Sequence, residues 1–170
     1  MIWSKVTILK DHGEDAGQEE EGEICVRGPI VMKEYIKNPV ETNKTLEFGW
    51  FHSGDLGYWK MVNSEKQFFI KGRLKEIIIK AGTNVSPLFV EKALLRSLPE
   101  IDQVYVVGIQ DERVGEEIGA VVVWKNGKFR KLPKNIKGIL KFETPVYWFS
   151  ILAVDLPMTS TGKVQRVKLK

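Results

Sequence analysis

Cysteine and long apolar runs are both scarce in this chain of 170 residues, and each shortage excludes a class of protein. Cys25 is the single cysteine, so no intramolecular disulfide can form, which suits a reducing compartment and a cytoplasmic location. No apolar run reaches the roughly 18 residues that would predict a transmembrane helix. The first 15 residues lack the apolar stretch of a secretory signal.

Two nucleotide-related signatures are also missing. No G-x-x-x-x-G-K-[ST] phosphate loop occurs in the sequence. The formal net charge is a modest +4, and the densest lysine cluster, at 125–141, carries no aromatic and basic pattern for base readout. We therefore predict a solvated lysine-rich face and no nucleic-acid partner, although a basic field can help to gather small anions.

The first part of the chain, about residues 1–72, has the pattern of a small β-rich unit. Alternating β-branched segments predict strands, and the acidic, glycine-containing stretch 11–22 predicts an exposed loop. Asn38 followed by Pro39 predicts the start of a helix. The predicted strands are residues 5–10, 23–27, 50–51, 56–59 and 67–71.

The second part, from residue 74 onward, alternates strands with helices. Ser86 followed by Pro87 predicts a capped helix, in which Val90 and Leu94 recur on one apolar face. The order β-α-β-β-α-β predicts an α+β fold with an antiparallel or mixed sheet flanked by helices. The predicted elements are strands 74–80, 102–109, 118–124 and 147–154, a turn at Gly115 and Glu116, and a short helix at 134–140.

Asp55 is the first candidate site residue, because it lies in a turn between Gly54 and Gly57. A fixed carboxylate can accept hydrogen bonds from two vicinal hydroxyls, such as those of a ribose. Arg73 follows about one hairpin later, where its guanidinium could reach the same ribose or a phosphate. Without other motifs, the simpler interpretation would be an ordinary turn beside a surface arginine.

Lys163 is the second candidate. It follows the polar stretch 159–162, Thr-Ser-Thr-Gly, and so stands at the tip of a predicted loop. A mobile ammonium can neutralise charge that develops on a phosphoryl group or a carboxylate. Taken by itself, this residue would be interpreted as an ordinary exposed turn lysine.

The motifs together resemble those of the adenylate-forming enzymes, the superfamily of acyl-CoA synthetases, luciferases and peptide-synthetase adenylation domains. The resemblance runs from about Val6 to Leu169 and keeps the family's order of motifs. It is carried by EICVRGPIVMKEY with GWFHSGDLGYW, by FFIKGRLKEIIIKAGTNVSP, by VVGIQDERVGEEIGAVVV and by LPMTSTGKVQRVKL.

The resemblance implies a role for each matching position. Asp55 would bind the ribose of ATP or AMP with help from Arg73, and Lys163 would be the catalytic lysine that contacts the carboxylate and α-phosphate. Residues 1–73 would end a large N-terminal domain with a β-barrel-like subdomain, and residues 74–170 would form a mobile C-terminal lid. Leu74 and Lys75 would be the hinge, and Gly82 would face the thiol acceptor.

The implied function is that of the C-terminal portion of an AMP-forming acyl-CoA ligase. Such an enzyme converts a carboxylic or fatty acid and ATP into an acyl-adenylate, and then into a thioester with coenzyme A. Mg²⁺ would be bound mainly by the missing N-terminal part, which is the expected partner and without which the 170-residue chain would be inactive. No metal ligand is predicted within the chain itself.

Three departures from the family pattern bear on this assignment. Ala81 stands where many acyl-CoA synthetases have a second glycine, which bears on access for coenzyme A. Ile79 stands where luciferases have a lysine, which argues against light-producing oxidation. The upstream phosphate loop and acyl pocket are not in the chain. A fatty-acyl-AMP ligase that serves a carrier protein, and a non-catalytic binding or regulatory module, therefore remain as alternatives.

Overall fold

The computed structural model describes residues 3–127 and 136–170. The chain folds as two compact units, Met1–Lys75 and Glu76–Lys170. Each unit has its own sheet and its own buried residues, so each is described by itself.

The first unit is an antiparallel meander of four strands. They are β1 (Lys5–Leu9), β2 (Gly22–Arg27), β3 (Phe51–Val62) and β4 (Glu65–Arg73), and they lie side by side in chain order. The helix α1 (Pro39–Thr45) begins where predicted, since Oδ1 of Asn38 accepts a hydrogen bond from the amide of Glu41 at 3.2 Å. The buried side chains of this unit include Ile8, Leu9, Cys25 and Leu56.

The β3–β4 hairpin is longer than the sequence pattern predicted. The separate strands expected at 50–51 and 56–59 are one strand, and the strand expected at 67–71 extends in both directions. A turn at Asn63 and Ser64, with φ of 50° and 65°, closes the hairpin. Backbone pairing continues through its polar positions, where Lys66 covers the ring of Trp59 at 4.2 Å.

The second unit is a five-stranded mixed sheet with one α-helix among its described residues. Its elements are β5 (Ile78–Lys80), β6 (Thr83–Val85), α2 (Pro87–Ser97), β7 (Ile101–Asp111), β8 (Gly115–Trp124) and β9 (Tyr147–Ser150). The strand order is β6-β5-β8-β7, all antiparallel, and β9 runs parallel to β8.

The helix α2 supplies the apolar face that the sequence predicted. Oγ of Ser86 accepts a hydrogen bond from the amide of Phe89 at 3.2 Å and so caps the helix. Val90 and Leu94 are fully buried against residues of the sheet, including Val106 and Ile118. Each such side chain contributes roughly 1.5–3 kcal/mol by leaving water.

Four local predictions for this unit are wrong. Residues 74–76 form a 3₁₀ turn instead of the first half of a strand, and the turn before β8 is residues 112–114, just ahead of Gly115. In the predicted helix 134–140, the described residues 136–140 form a turn with Gly138 at φ 93°, while 134 and 135 lie outside the described residues. The last strand ends at Ser150, whose pair with Val122 of β8 is the last of that ladder.

The α+β fold class is confirmed. Both sheets are built mainly from antiparallel pairs, and helices account for a minor share of the described residues. Within residues 3–127 and 136–170, no helix is both long and apolar enough to span a membrane.

Candidate functional site

Asp55 and Arg73 are directly paired across the β3–β4 ladder. Nε of Arg73 lies 3.0 Å from Oδ1 of Asp55, and its Nη1 donates to the carbonyl oxygen of Ser53 at 2.9 Å. The arginine side chain is 58% exposed and the aspartate side chain 27%. Oδ2 of Asp55 has no hydrogen bond within the described residues, so it can still accept one, with a cation beside it.

The turn predicted at Asp55 is wrong, because Asp55 lies within strand β3, where the register with β2 shifts and the backbone is irregular. Glu23, which sequence reasoning missed, supports this irregular part of β3. Its Oε1 accepts a hydrogen bond from the amide of Gly54 at 2.6 Å, and its Oε2 lies 2.6 Å from Nδ1 of His52. Gly54 has φ of 75°, a conformation that favours glycine. The irregular part of β3 is thus held by a carboxylate on the neighbouring strand β2, two residues before Cys25.

Glu23, Cys25 and His52 form the one group of potential metal ligands found among the described residues. Their donor atoms satisfy one another, since Sγ of Cys25 lies 3.6 Å from Nδ1 of His52. Burial first, and then the charge of Glu23, raise the pKa of the Cys25 thiol to about 12. The thiol stays protonated and the imidazole of His52 is already hydrogen-bonded to Glu23. We therefore interpret the group as structural support for this part of β3.

Lys163 lies in a loop that is closed by its own hydrogen bonds. The amide of Thr159 donates to the carbonyl oxygen of Lys163 at 2.7 Å, and the amide of Lys163 donates to Oγ1 of Thr159 at 3.0 Å. Gly162 turns the chain with φ of 77°, and a bridge between Met158 and Val164 closes the base. The lysine side chain is exposed, and its ammonium has no partner within the described residues.

Gly82 and Ala81 form the two-residue turn of the β5–β6 hairpin. Both have positive φ, 47° for Ala81 and 76° for Gly82, which is the type I′ pattern. A Cβ added at Gly82 would meet no atom within 4 Å, so space does not require a glycine there, but the backbone conformation favours one. The methyl group of Ala81 therefore stands in a conformation that costs a non-glycine residue roughly 1–2 kcal/mol.

Leu74 and Lys75 lie in the 3₁₀ turn that ends at Glu76. Both side chains are exposed, and the division between the two units falls directly after Lys75. The predicted hinge therefore has no buried side chain to restrain it.

Arg166 is a second residue that sequence reasoning missed, although it lies within the motif LPMTSTGKVQRVKL. Its guanidinium binds both carboxylate oxygens of Glu91, at 2.5 and 3.0 Å, and Nε lies 3.2 Å from Glu76. Burial opposes the charge of Arg166, but these two carboxylates outweigh it and raise the arginine's pKa. The available signal was Glu91 itself, a charge on the apolar face of α2 that required a cation.

Lys80 and Glu117 form a second buried ion pair, which was also not predicted. Nζ of Lys80 lies 2.5 Å from Oε1 of Glu117, and it donates to the carbonyl oxygen of Phe142 at 2.9 Å. Both side chains are about nine-tenths buried. The pair joins β5 to β8 directly before the turn of Ala81 and Gly82.

Comparison with known proteins identifies the family. Residues 90–163 match the sequence model described as "AMP-binding enzyme C-terminal domain". An oxalate–CoA ligase of Arabidopsis thaliana is 35% identical over 170 residues, an alignment that covers 97% of this chain and 32% of the relative. The chain belongs to the adenylate-forming enzymes.

Other members of the adenylate-forming family agree. The luciferin 4-monooxygenase of Photinus pyralis is 42% identical over 126 residues, covering 74% of this chain and 22% of that protein. The o-succinylbenzoate CoA synthetase of Bacillus subtilis, solved with its acyl-adenylate intermediate, superposes with a TM-score of 0.82 at 28% identity. That match covers 98% of this chain and 34% of the synthetase.

The chain spans about a third of the length of the first of these adenylate-forming relatives. Structures of the Bacillus subtilis synthetase have been solved with ATP and magnesium and with AMP. Nucleotide and magnesium binding are therefore found among members of the family.

Proposed function

We propose that this chain is the C-terminal part of an ATP-dependent acid–thiol ligase of the AMP-forming, acyl-CoA synthetase type. The observation that carries the proposal is the pairing of Asp55 with Arg73 on an exposed hairpin. The resemblance named this pair, and the strand register places the two residues opposite each other. Family membership and an unpaired lysine on a hydrogen-bonded loop support the same proposal.

Asp55 would hold the nucleotide by its ribose. Oδ1 is engaged by Nε of Arg73 at 3.0 Å, which leaves Oδ2 to accept from a hydroxyl. The Arg73 side chain is 58% exposed, so its remaining guanidinium N–H groups can serve a second hydroxyl or a phosphate oxygen. The pair fits a ribose better than it fits a metal, since its arginine repels cations.

Lys163 would act during formation of the acyl-adenylate. Its ammonium is exposed and unpaired among the described residues, so it can approach the acid's carboxylate and the α-phosphate at the moment when negative charge develops there. Loss of a single such donor typically reduces the rate by about 10² to 10³.

Leu74 and Lys75 would be the hinge between the two half-reactions, and Gly82 would face the thiol acceptor in the second. Rotation at a few exposed residues of a short turn is a common way to change which loop meets the substrate. The exposed turn at residues 74–76 supports this assignment. Residues 1–73 would then belong to the N-terminal domain, and residues 74–170 would be the mobile lid.

The remaining parts of the reaction would be supplied by the missing N-terminal domain and by the substrates. Magnesium prefers carboxylate and water oxygens in octahedral arrangement, whereas the ligand cluster found here contains a buried thiol and an imidazole. The described residues thus do not fit magnesium, and the N-terminal part would bind it. We expect the 170-residue chain alone to be inactive, because positioning of the acid and the triphosphate needs that part.

The acceptor is coenzyme A in the main proposal and a carrier protein in the alternative. Ala81 is the feature that motivates the alternative, since it stands where many acyl-CoA synthetases have a second glycine. Both acceptors present a thiol, so the two proposals share the first half-reaction and differ only in the second.

The test is a chimera in which this chain replaces the matching third of the Bacillus subtilis o-succinylbenzoate CoA synthetase. Purified chimera would receive ATP, magnesium and o-succinylbenzoate, and release of AMP and pyrophosphate would be measured with and without coenzyme A. The proposal predicts pyrophosphate release that requires both parts, and AMP release on addition of coenzyme A. A folded chimera that binds ATP and releases no pyrophosphate would contradict it and favour a non-catalytic module.

A further inference from the structure

Arg166 follows Lys163 by three positions and binds groups from three other segments. Its Nη1 and Nη2 reach the two carboxylate oxygens of Glu91 on α2, at 2.5 and 3.0 Å. Nη1 also donates to the carbonyl oxygen of Val106 on β7 at 3.3 Å, and Nε lies 3.2 Å from Oε2 of Glu76. We call these contacts of Arg166 with Glu91, Val106 and Glu76 the arginine clamp.

The arginine clamp is a specific arrangement rather than a surface ion pair. Only 23% of the Arg166 side chain and 8% of the Glu91 side chain are exposed. Oε1 of Glu91 also accepts from the amide of Val106 at 2.7 Å, so the carboxylate is held on both sides. A planar guanidinium can engage a carboxylate with two parallel bonds and still present Nε elsewhere, which a lysine ammonium cannot do.

Glu76 gives the clamp its mechanical meaning. It is the first residue of the second unit, and it shares a 3₁₀ turn with Leu74 and Lys75. A contact from Arg166 to Glu76 therefore joins the far side of the proposed hinge to the segment that carries Lys163. All the clamp's residues lie within the second unit.

The link between Arg166 and the lysine loop is short and itself hydrogen-bonded. The amide of Gln165 donates to the carbonyl oxygen of Pro157 at 2.7 Å, and Nε2 of Gln165 donates to the carbonyl oxygen of Met158 at 3.1 Å. The base of the loop is therefore held next to Arg166, and its orientation follows where that arginine is bound.

We propose that Arg166 is a positioning residue, which fastens the loop of Lys163 to the first residue beyond the hinge. A rotation at Lys75 then carries the loop as part of a rigid body, so the backbone that carries Lys163 arrives in a fixed orientation while the ammonium stays able to move. This proposal rests on the proposed function for its purpose, but the clamp itself can be tested without any activity.

The test is amide hydrogen exchange of the whole chain at residues 159–165, in the wild type and in Glu76→Gln, Arg166→Gln and Arg166→Lys. Glu76 is 40% exposed, so its substitution removes the hinge contact with little effect on the fold. We expect exchange in the loop to accelerate about two- to fivefold in Glu76→Gln. We expect more than about tenfold acceleration in Arg166→Gln, which leaves Glu91 buried without its cation.

Arg96→Gln is the matched control, because Arg96 is exposed near the end of α2 and makes the same change of charge. It should leave exchange in the loop unchanged. Arg166→Lys retains the charge without the fork, so we expect it to lose most of the protection. Wild-type protection of residues 159–165 in both Glu76→Gln and Arg166→Lys would overturn the proposal.

A second arm of the experiment uses the chimera and separates the two proposals. Because all contacts of the arginine clamp lie within the second unit, Glu76→Gln should lower kcat for adenylation while the KM for ATP stays within about twofold. A fall in kcat together with faster loop exchange supports the clamp as a positioning device, and unchanged kcat with faster exchange overturns its positioning role. An inactive wild-type chimera would refute the proposed function and leave the exchange result to decide on the clamp.

Discussion

Asp55 lies within a strand and Lys163 lies in a loop, and the two units fix them by different means. The segment of β3 that carries Asp55 is held by neighbouring strands, through Arg73 of β4 and Glu23 of β2. The Lys163 loop is held by its own backbone and by Arg166 at its base, and the ammonium itself is free of partners within the described residues. One carboxylate is thus preorganised, whereas the lysine is left able to move.

This difference matches what each residue would have to do. A ribose is present in ATP and in the acyl-adenylate, so its ligand can stay fixed throughout. A cation that stabilises charge in one step alone must be able to leave afterwards.

Lys163→Ala is expected to slow adenylation in the chimera by about 10² to 10³, because the transition state loses one cation. The measurement is the rate of pyrophosphate release at saturating ATP. Lys168→Ala is the matched control, since Lys168 is also exposed in the C-terminal segment, and it should be without effect. A loss of less than about threefold in Lys163→Ala would contradict the catalytic assignment.

Lys80→Met is expected to destabilise the second unit by about 3–5 kcal/mol, because Glu117 would be left buried without its cation. Urea unfolding of the chain is the measurement. The double variant Lys80→Met with Glu117→Leu should recover most of the loss, since it removes both charges. If the single and the double variants are equally unstable, the ion pair is not the cause.

Asp55→Asn is expected to raise the KM for ATP in the chimera by about tenfold or more, which corresponds to loss of a charged hydrogen bond worth about 1.5–3 kcal/mol. Asn keeps the shape of the side chain and part of its acceptor capacity, so the fold should be unaffected. Asp11→Asn, at an exposed position of the same unit, is the control. An unchanged KM would count against ribose binding.

Cys25 predicts a pH dependence that belongs to the first unit alone. Burial raises its folded-state pKa to about 12 from the ordinary thiol value of 9.0, so the folded chain retains a proton that the unfolded chain loses. Stability from this group is therefore complete below pH 9.0 and is lost as the pH rises toward about 12, by at most about 1.4 kcal/mol per pH unit. The measurement is the difference in unfolding free energy between wild type and Cys25→Ala across this range, and a difference that stays constant would refute it.

Ala81→Gly is expected to have the smallest effect, a stabilisation of no more than about 1 kcal/mol. Glycine adopts the positive φ of 47° without strain, which stabilises the folded chain. It also raises the conformational entropy of the unfolded chain, which offsets part of that gain. Thermal unfolding measures the change, and Ala93→Gly within α2 should destabilise by contrast. A loss of stability in Ala81→Gly would show that the turn is unstrained.

Much of the fold could be predicted from the sequence, because local signals determine it. The caps at Asn38 and Ser86 and the apolar face of α2 follow from residue type and spacing. The full extent of β3 could not be predicted, since pairing with β4 carries the strand through polar positions. The helix expected at 134–140 had no strong cap, and its described residues form a turn.

The candidate site was predictable only in part. The motifs predicted Asp55, Arg73, Gly82 and Lys163. They could not show that Asp55 and Arg73 lie opposite each other, or that Glu23 supports the segment of β3 that carries Asp55. Glu76, Glu91 and Arg166 lie far apart in sequence, with 75 positions between the last two. Only the tertiary structure brings these charges together, because each of them lies in a different segment of the chain and its partner cannot be read from that segment.

We propose that Asp55 serves both adenylation and thioester formation, whereas Lys163 serves adenylation alone. Single-turnover rates of adenylation, and of thioester formation from preformed acyl-adenylate, would be measured in the chimera with Asp55→Asn or Lys163→Ala. We expect Asp55→Asn to lower the rates of both steps. We expect Lys163→Ala to slow adenylation by about 10² to 10³ while the rate of thioester formation changes by less than about threefold. Equal losses in both steps for Lys163→Ala would contradict it.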